Sequence, residues 1–340
     1  MISLSRRQFL QSSLLTLGFL ATGFPALSAF AQTSPAPRQR LTLGTNWYAE
    51  AEHGGFYQAL ATGVYAEYGL DVTIKMGGPQ VNGTQLLVGG AVDFFVGSAA
   101  EALKSVEVGI PTITVAAIFQ KNPQVLMAHP HVGNDTLEAL RGKPIFVSAS
   151  ANTTYWTLLK NRYGFTDEQK RPYNFSVAPF LLDVNAAQQG YLSSEPFTVE
   201  RQGGFTPVIF LLADYGYNPY NTTIETTKQL VETNPDLVQR FVDASIQGWE
   251  SYLKDPVPGN ELIKQANPQM TDELLNFGVA KLKEYGIILS GDAITHGIGA
   301  MSNERWQEFY QVMRETGIIK KPINYQEAFT LQFLEQKHNR

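Results

Sequence analysis

Asn46 and Trp47 follow the β-rich run Leu41-Thr42-Leu43-Gly44, and His53 comes six residues after the tryptophan. Open α/β sheets place their ligand-contacting loops at such carboxyl ends of strands. An indole there can stack on a flat ring, giving about 0.5–1.5 kcal/mol beyond the area it buries. The competing role is a core aromatic beside the sheet. Asn46 offers a donor and acceptors to a heterocycle edge, or forms a turn. His53 opens a helical stretch, where it donates to a ligand or sits beside a chain reversal. Tyr191 and Glu195 are four apart, so they share a face if their segment is helical. A carboxylate accepting two N–H bonds from an amino-substituted ring edge makes strong, charge-assisted contacts; the alternative is a solvated glutamate at a helix start. Asn152 and Thr153 belong to Ser148-Ala149-Ser150-Ala151-Asn152-Thr153-Thr154. Small polar residues of this kind leave backbone N–H groups open at a positive helix end, or cap that end themselves. Ser98 occupies the corresponding earlier loop and carries a weaker form of the same signal.

Covalent and metal chemistry find little support. Ser98 is flanked by Val96 and Ala100, not by the glycines of a nucleophile elbow. His129-Pro130-His131 has no third ligand at usable spacing, and Gly77-Gly78-Pro79 lacks the lysine of a phosphate-binding loop. The chain has no cysteine, which removes disulfides, thiolate nucleophiles, Cys-ligated metals and a lipidated N-terminus. With 26 basic and 31 acidic residues the net charge is −5, contrary to a broad nucleic-acid footprint. The expected partner is therefore a small molecule, with no cofactor, no metal and no nucleic acid.

The elements that must hold these residues start after an export signal. Residues 1–31 carry Arg6-Arg7, a short apolar stretch broken by Gly18, Gly23 and Pro25, and the exit Ala29-Phe30-Ala31. This is the layout of a cleaved twin-arginine signal, too short and interrupted for a membrane span. A Pro-rich lead-in covers 32–40. From Leu41 short β-rich runs alternate with helical stretches, and 340 residues suffice for a large core. The pattern predicts a helix over 55–67, a strand over 72–74, a strand over 93–96 and a long buried strand over 112–119. It then restarts, with strands expected at 125–128, 144–147, 174–178 and 208–212, and helices at 153–163 and 184–190. Parallel βαβ units follow from this alternation. After a turn-rich crossing at 214–221, helix dominates, above all 235–253 and 301–316. The expected architecture is α/β with two lobes: 41–120 in lobe I, 121–216 in lobe II, and 217–340 returning to lobe I. The ligand would lie in the interlobe cleft.

Three stretches carry a resemblance: Asn46-Trp47-Tyr48-Ala49-Glu50-Ala51-Glu52-His53, Gly69-Leu70-Asp71-Val72, and Gly190-Tyr191-Leu192-Ser193-Ser194-Glu195-Pro196-Phe197. With Gly90-Ala91-Val92-Asp93 and Asn234-Pro235-Asp236, the chain resembles the NMT1/THI5-like family over roughly 41–256. The resemblance implies a type II-like periplasmic-binding-protein fold. It also implies a role as the solute-binding protein of an ABC importer, with a membrane permease as partner and a small heteroaromatic ligand. Pyrimidine-binding members use a Tyr and a Glu where Tyr191 and Glu195 stand. The fungal synthase branch uses a Lys and a His where this chain has Gly97 and Glu101, and a Cys-rich motif where it has Tyr215-Gly216-Tyr217-Asn218-Pro219. Pyrimidine synthesis is therefore not expected. The ligand expected is a thiamine-pyrimidine precursor such as a hydroxymethyl- or formylaminopyrimidine. Riboflavin or another aromatic vitamin comes next, and a sulfonate or nitrate last, because the favoured loops carry no Arg or Lys. A periplasmic enzyme on this scaffold would have to rely on Glu195 with His53. The mature protein is expected to be periplasmic and monomeric.

Overall fold

β1 (Gln39–Gly44) starts two residues before the expected strand, so the lead-in ends sooner than its composition suggests. The structure, a computed structural model, describes residues 37–334; the signal segment 1–31 lies outside the described residues. β1 pairs in parallel with β2 (Leu70–Lys75) and with β3 (Phe94–Ser98). β4 (Thr112–Phe119), with its run of β-branched and apolar side chains, is almost wholly buried. Between β3 and β4 lies β10 (Asn221–Thr227), antiparallel to both, giving the sheet order β2-β1-β3-β10-β4. The second sheet contains β5 (Gln124–Ala128), β6 (Ile145–Val147), β7 (Lys170–Pro172), β8 (Ala187–Tyr191) and β9 (Val208–Leu211) in the order β7-β6-β8-β5-β9. β5 is antiparallel to both β8 and β9. The two-lobed, type II-like α/β architecture holds, but the sheets are mixed rather than purely parallel.

Four local expectations are corrected. Residues 174–178 form no strand; the chain turns there and enters the helix Ala178–Leu182. The helix expected over 184–190 is instead β8, which lies between β6 and β5 and is buried almost throughout. β10 falls in a stretch read as turn and helix. Its Asn-Thr-Thr-Ile-Glu-Thr-Thr sequence looks like a loop, yet Thr226 Oγ1 donates to the Asp93 carbonyl at 2.7 Å and the strand is buried. The helix over 55–67 divides into Gly54–Ala61 and Val64–Glu67 at Gly63, whose φ of +79° favours glycine.

The long helices match their sequence signals. In Pro235–Lys254, Asn234 Oδ1 accepts the Leu237 N–H at 3.2 Å and Pro235 occupies the first turn. Phe241 on its buried face stacks on Phe94 of β3, ring centroids 4.0 Å apart. The helix Gly54–Ala61 packs against it so closely that a Cβ at Gly55 would stand 2.1 Å from the Trp249 ring. This contact fixes His53 and the preceding turn to the first sheet.

Two crossings join the sheets, one between β4 and β5 and one between β9 and β10. They are tied together: Asn218 Oδ1 accepts the Asn122 N–H at 2.9 Å, and Asn221 Nδ2 donates to Asn122 Oδ1 at 3.0 Å.

Candidate functional site

The loop after β1 is shaped by Thr45, whose hydroxyl donates to the Trp47 carbonyl at 2.8 Å and accepts the Gly77 N–H at 3.0 Å. A Cβ at Gly77 would lie 2.0 Å from the Thr45 carbonyl, so the backbones touch directly. The result holds Trp47 half-buried and facing the second lobe. There Tyr173, just beyond β7, lies nearly parallel to it, with centroids 6.1 Å apart and planes 17° apart. Tyr48 and Phe175 close the edge, their rings 4.8 Å apart.

Beside this aromatic pair lies a chamber of about 80 Å³ bordered by both lobes. That is well above the roughly 10–15 Å³ needed to admit one water. Asn46, Trp47, His53, Tyr191 and Glu195 all border it. His53 Nε2 and Asn46 Oδ1 are 3.0 Å apart. Burial, partly offset by the Tyr48 backbone, pushes the His53 pKa down to about 4, so the neutral ring donates Nε2–H to Asn46. Tyr191 ends β8, and its hydroxyl pairs with the Asn221 amide side chain.

Tyr191 and Glu195 do not share a helix face. Tyr191 closes a strand and Glu195 opens the helix Glu195–Gly203, and the turn between them brings Glu195 Oε2 to the Tyr191 N–H at 2.8 Å. Glu195 Oε1 accepts the Tyr173 hydroxyl at 2.8 Å. Glu195 therefore orients the ring that faces Trp47. Burial pushes its pKa up to about 7, against the Tyr191 N–H and the Tyr173 hydroxyl that favour the charge.

Three further carboxyls border the chamber, Glu50, Glu52 and Glu101, and the first two lie inside the motif that carried the resemblance. Glu50 and Glu52 are 4% and 3% exposed, and Glu50 Oε1 and Glu52 Oε2 have no hydrogen-bond partner. Ser193 of the second lobe donates its hydroxyl to Glu52 Oε1. Burial raises both pKa values, that of Glu50 well above normal with help from Glu52 and Glu195. The signal was the alternation Glu50-Ala51-Glu52-His53, polar residues in a segment too apolar to be a solvated face. Tyr173 had no sequence signal at all.

The remaining candidates lie elsewhere. Ser98 caps the helix Ala99–Glu107, hydrogen-bonded to Glu101 Oε2 at 3.0 Å, and borders a smaller cavity of about 50 Å³ with Tyr191. Asn152 and Thr153 are exposed and do not border the chamber itself; Thr153 borders an adjoining cavity of about 720 Å³ that shares Phe95, Glu101 and Ser150 with it. Asn152 donates to the Ala149 carbonyl at 3.1 Å and accepts from Lys170, while Thr153 donates to the Ser150 carbonyl at 3.1 Å. Their turn satisfies them, and Ser148 and Ser150 of the same loop face the chamber instead. The Ser148 N–H is taken by Gln189 Oε1 at 2.6 Å and is not open to an anion.

Chemically, the site combines a two-ring slot with buried carboxyl oxygens at its edge, and among the described residues no Lys or Arg borders it. It suits a flat ring presenting N–H or O–H groups. Comparison with known proteins agrees with the fold and the motifs. The chain is 26% identical over 324 residues to the riboflavin-binding protein RibY of Chloroflexus aurantiacus, covering 91% of this chain and 92% of that one. It is 20% identical over 291 residues to the formylaminopyrimidine-binding protein of Halalkalibacterium halodurans, covering 84% and 88%. The ligand-binding component of an ABC-type import system from Staphylococcus aureus superposes with a TM-score of 0.60 at 13% identity, over 88% of this chain and 99% of that one. Residues 50–258, which hold the Glu50–His53 turn, the Tyr173 loop and Glu195, match the profile described as NMT1/THI5 like, and the chain belongs to that family.

Proposed function

We propose that this protein is the solute-binding component of an ABC importer, exported to the periplasm as a monomer. It captures a planar nitrogen heterocycle between its lobes and delivers it to a membrane permease. The observation that carries this reading is the near-parallel Trp47–Tyr173 pair, one ring from each lobe, with unpaired carboxyl oxygens at its edge. Two van der Waals gaps of about 3.5 Å require some 7 Å between ring planes, and the ring centroids are only 6.1 Å apart. A flat ligand therefore enters only if the pair widens by at least about 1 Å, and it then links the lobes. Closure follows because the ligand binds both rings only in the closed state. No bond is broken: burial keeps His53 neutral, and Glu195 is engaged with Tyr173 and Tyr191.

The ligand we infer is a thiamine-pyrimidine precursor, a hydroxymethyl- or formylaminopyrimidine, whose amino and ring groups match Glu50, Glu52 and Glu195 and whose size suits the small chamber. The 26% identity to a protein named as riboflavin-binding favours riboflavin as a second reading. Calorimetric titration of the mature protein with both pyrimidines and with riboflavin decides between them. Micromolar or tighter binding of a pyrimidine without turnover is expected. Turnover of a bound ligand, abolished in Glu195→Gln, would defeat the transport reading.

A further inference from the structure

Three non-glycine residues among those described hold a positive φ: His131, Phe175 and Thr222. Two of the three stand where the lobes meet. Phe175, with φ +62°, packs its ring against Tyr48 of the first lobe. Thr222, with φ +46°, is 3% exposed and borders the chamber. A β-branched side chain is crowded by its own backbone in this region, so the conformation persists only where surrounding contacts impose it. Those contacts are specific at Thr222. β10 pairs Asn221 with Ser98 and Thr223 with Gly97, which are neighbours on β3, so Thr222 is the extra residue of a bulge. Its N–H donates to Asn221 Oδ1 at 2.6 Å. Asn221 Nδ2 in turn donates to Asn122 Oδ1, on the other crossing, at 3.0 Å, and to the Tyr191 hydroxyl, at the end of β8, at 3.1 Å. One amide side chain therefore holds the strained peptide, and the second lobe grips that amide.

We propose that the Thr222 bulge is a spring set against lobe closure, with Asn221 as the positioning residue that loads it. With the lobes together, Tyr191 and Asn122 fix the Asn221 amide, and its Oδ1 holds the Thr222 N–H so that φ stays positive. When the second lobe swings away the Tyr191 bond breaks, because it joins one sheet to the other, and the Thr222 peptide relaxes. Part of the ligand's binding energy then goes into loading the bulge. The closed form is less populated without ligand, apparent affinity falls by that fraction, and release is eased. The proposal rests on the reading that the lobes close over a ligand, and not on which ligand that is.

The test compares Thr222→Gly with Thr222→Ala. Both delete the hydroxyl and the methyl group, but only glycine accepts a positive φ without strain. Open and closed forms are both folded, so the extra freedom glycine gives the unfolded chain does not enter. The chain has no cysteine, so Leu182→Cys on the second lobe and Val257→Cys on the first, both exposed positions, take a pair of spin labels without competition. In the ligand-free mature protein, Thr222→Gly should move the label distances towards the separation set by this structure, and Thr222→Ala should not. Riboflavin and hydroxymethylaminopyrimidine are then titrated into both variants by calorimetry. Whichever binds should bind Thr222→Gly about fivefold tighter than Thr222→Ala, or more. Identical distance distributions, or equal affinities, overturn the spring. A higher Tm in Thr222→Gly with unchanged distances also overturns it, because the strain is then independent of lobe position. If neither compound binds, the ring reading of the chamber falls while the distances still decide the spring. Should Thr222→Gly fail to fold, Thr222→Asn replaces it, since asparagine also tolerates a positive φ.

Discussion

Replacing Glu225 with Gln should make the ligand-free protein more stable at alkaline pH and leave it unchanged in acid. Glu225 sits on β10 between β3 and β4, above Gly97, with the carboxyl of Glu101 as its charged neighbour. Its pKa rises from 4.5 to about 8, chiefly through burial. Because the folded state holds the proton more tightly, the group contributes its full stability below pH 4.5 and loses it as pH rises through 8. At 1.36 kcal/mol per pKa unit, the loss by pH 8.5 approaches about 4–5 kcal/mol. Gln is nearly isosteric, keeps an oxygen for the Thr223 hydroxyl and never ionises, so the variant avoids that loss. For a chain of this size the difference corresponds to roughly 10 °C in Tm. Thermal unfolding of both proteins across pH 4–8.5 should give curves that meet near pH 4, diverge steadily from about pH 5 and level off above pH 8. Parallel curves would refute the reasoning and show that Glu225 does not carry the buried, titrating proton assigned to it.

Trp47→Ala and Tyr173→Ala should each weaken ligand binding by roughly 10- to 100-fold in calorimetry, since each removes one face of the slot. Trp47 emission should also change on ligand addition in the unmodified protein. Gly55→Ala should destabilise the protein by about 1–3 kcal/mol, because the methyl group would enter the Trp249 ring; an unshifted Tm would contradict this packing. A ligand that donates N–H to the chamber favours ionised Glu195, whose pKa is now about 7. Binding should therefore release protons and tighten as pH rises towards 7, visible as a buffer-dependent calorimetric enthalpy that disappears in Glu195→Gln.

Different parts of the molecule were legible to different degrees, for identifiable reasons. Pro235–Lys254 and Asn303–Glu315 were readable because each buries one apolar stripe and starts at a capping side chain, Asn234 or Ser302. β10 was not, because its burial is satisfied by side-chain hydrogen bonds among Thr, Asn and Glu rather than by apolar residues. β8 hid because polar Gln188 and Gln189 are buried in mid-strand, where Gln189 Oε1 accepts both the Ser148 N–H and the Tyr155 hydroxyl while the Gln188 amide has no partner. In the site, Trp47 stood out because the end of a strand is an informative position, and His53 because it opens a helical stretch. Tyr173 could not stand out, since its role is set by how the second lobe meets the first, a relation with no local sequence period. Asn152 and Thr153 were ambiguous because residues that suit an open helix end also satisfy their own turn.

The carboxyls explain how such a chamber discriminates among ligands. Glu50, Glu52 and Glu195 are all buried at its wall, and burial raises the pKa of each. An anion lodged about 5 Å from one ionised carboxylate would lose some 3 kcal/mol at an effective dielectric constant near 20. Protonation relieves that repulsion but supplies no cation to replace the anion's lost hydration. A sulfonate or nitrate is therefore disfavoured at any protonation state of the wall. A neutral heteroaromatic carries no such cost, and its N–H and O–H groups meet the oxygens that Glu50 and Glu52 leave unpaired. The aromatic pair supplies affinity for any flat ring, so selection among rings falls to the hydrogen-bonding edge. Clustered acids without counter-ions weaken the empty protein, most strongly above neutral pH, and a donor-bearing ligand offsets that weakness when the lobes close. On the proposed function, selectivity and closure share one cause: a wall under-satisfied until a donor-bearing ring arrives.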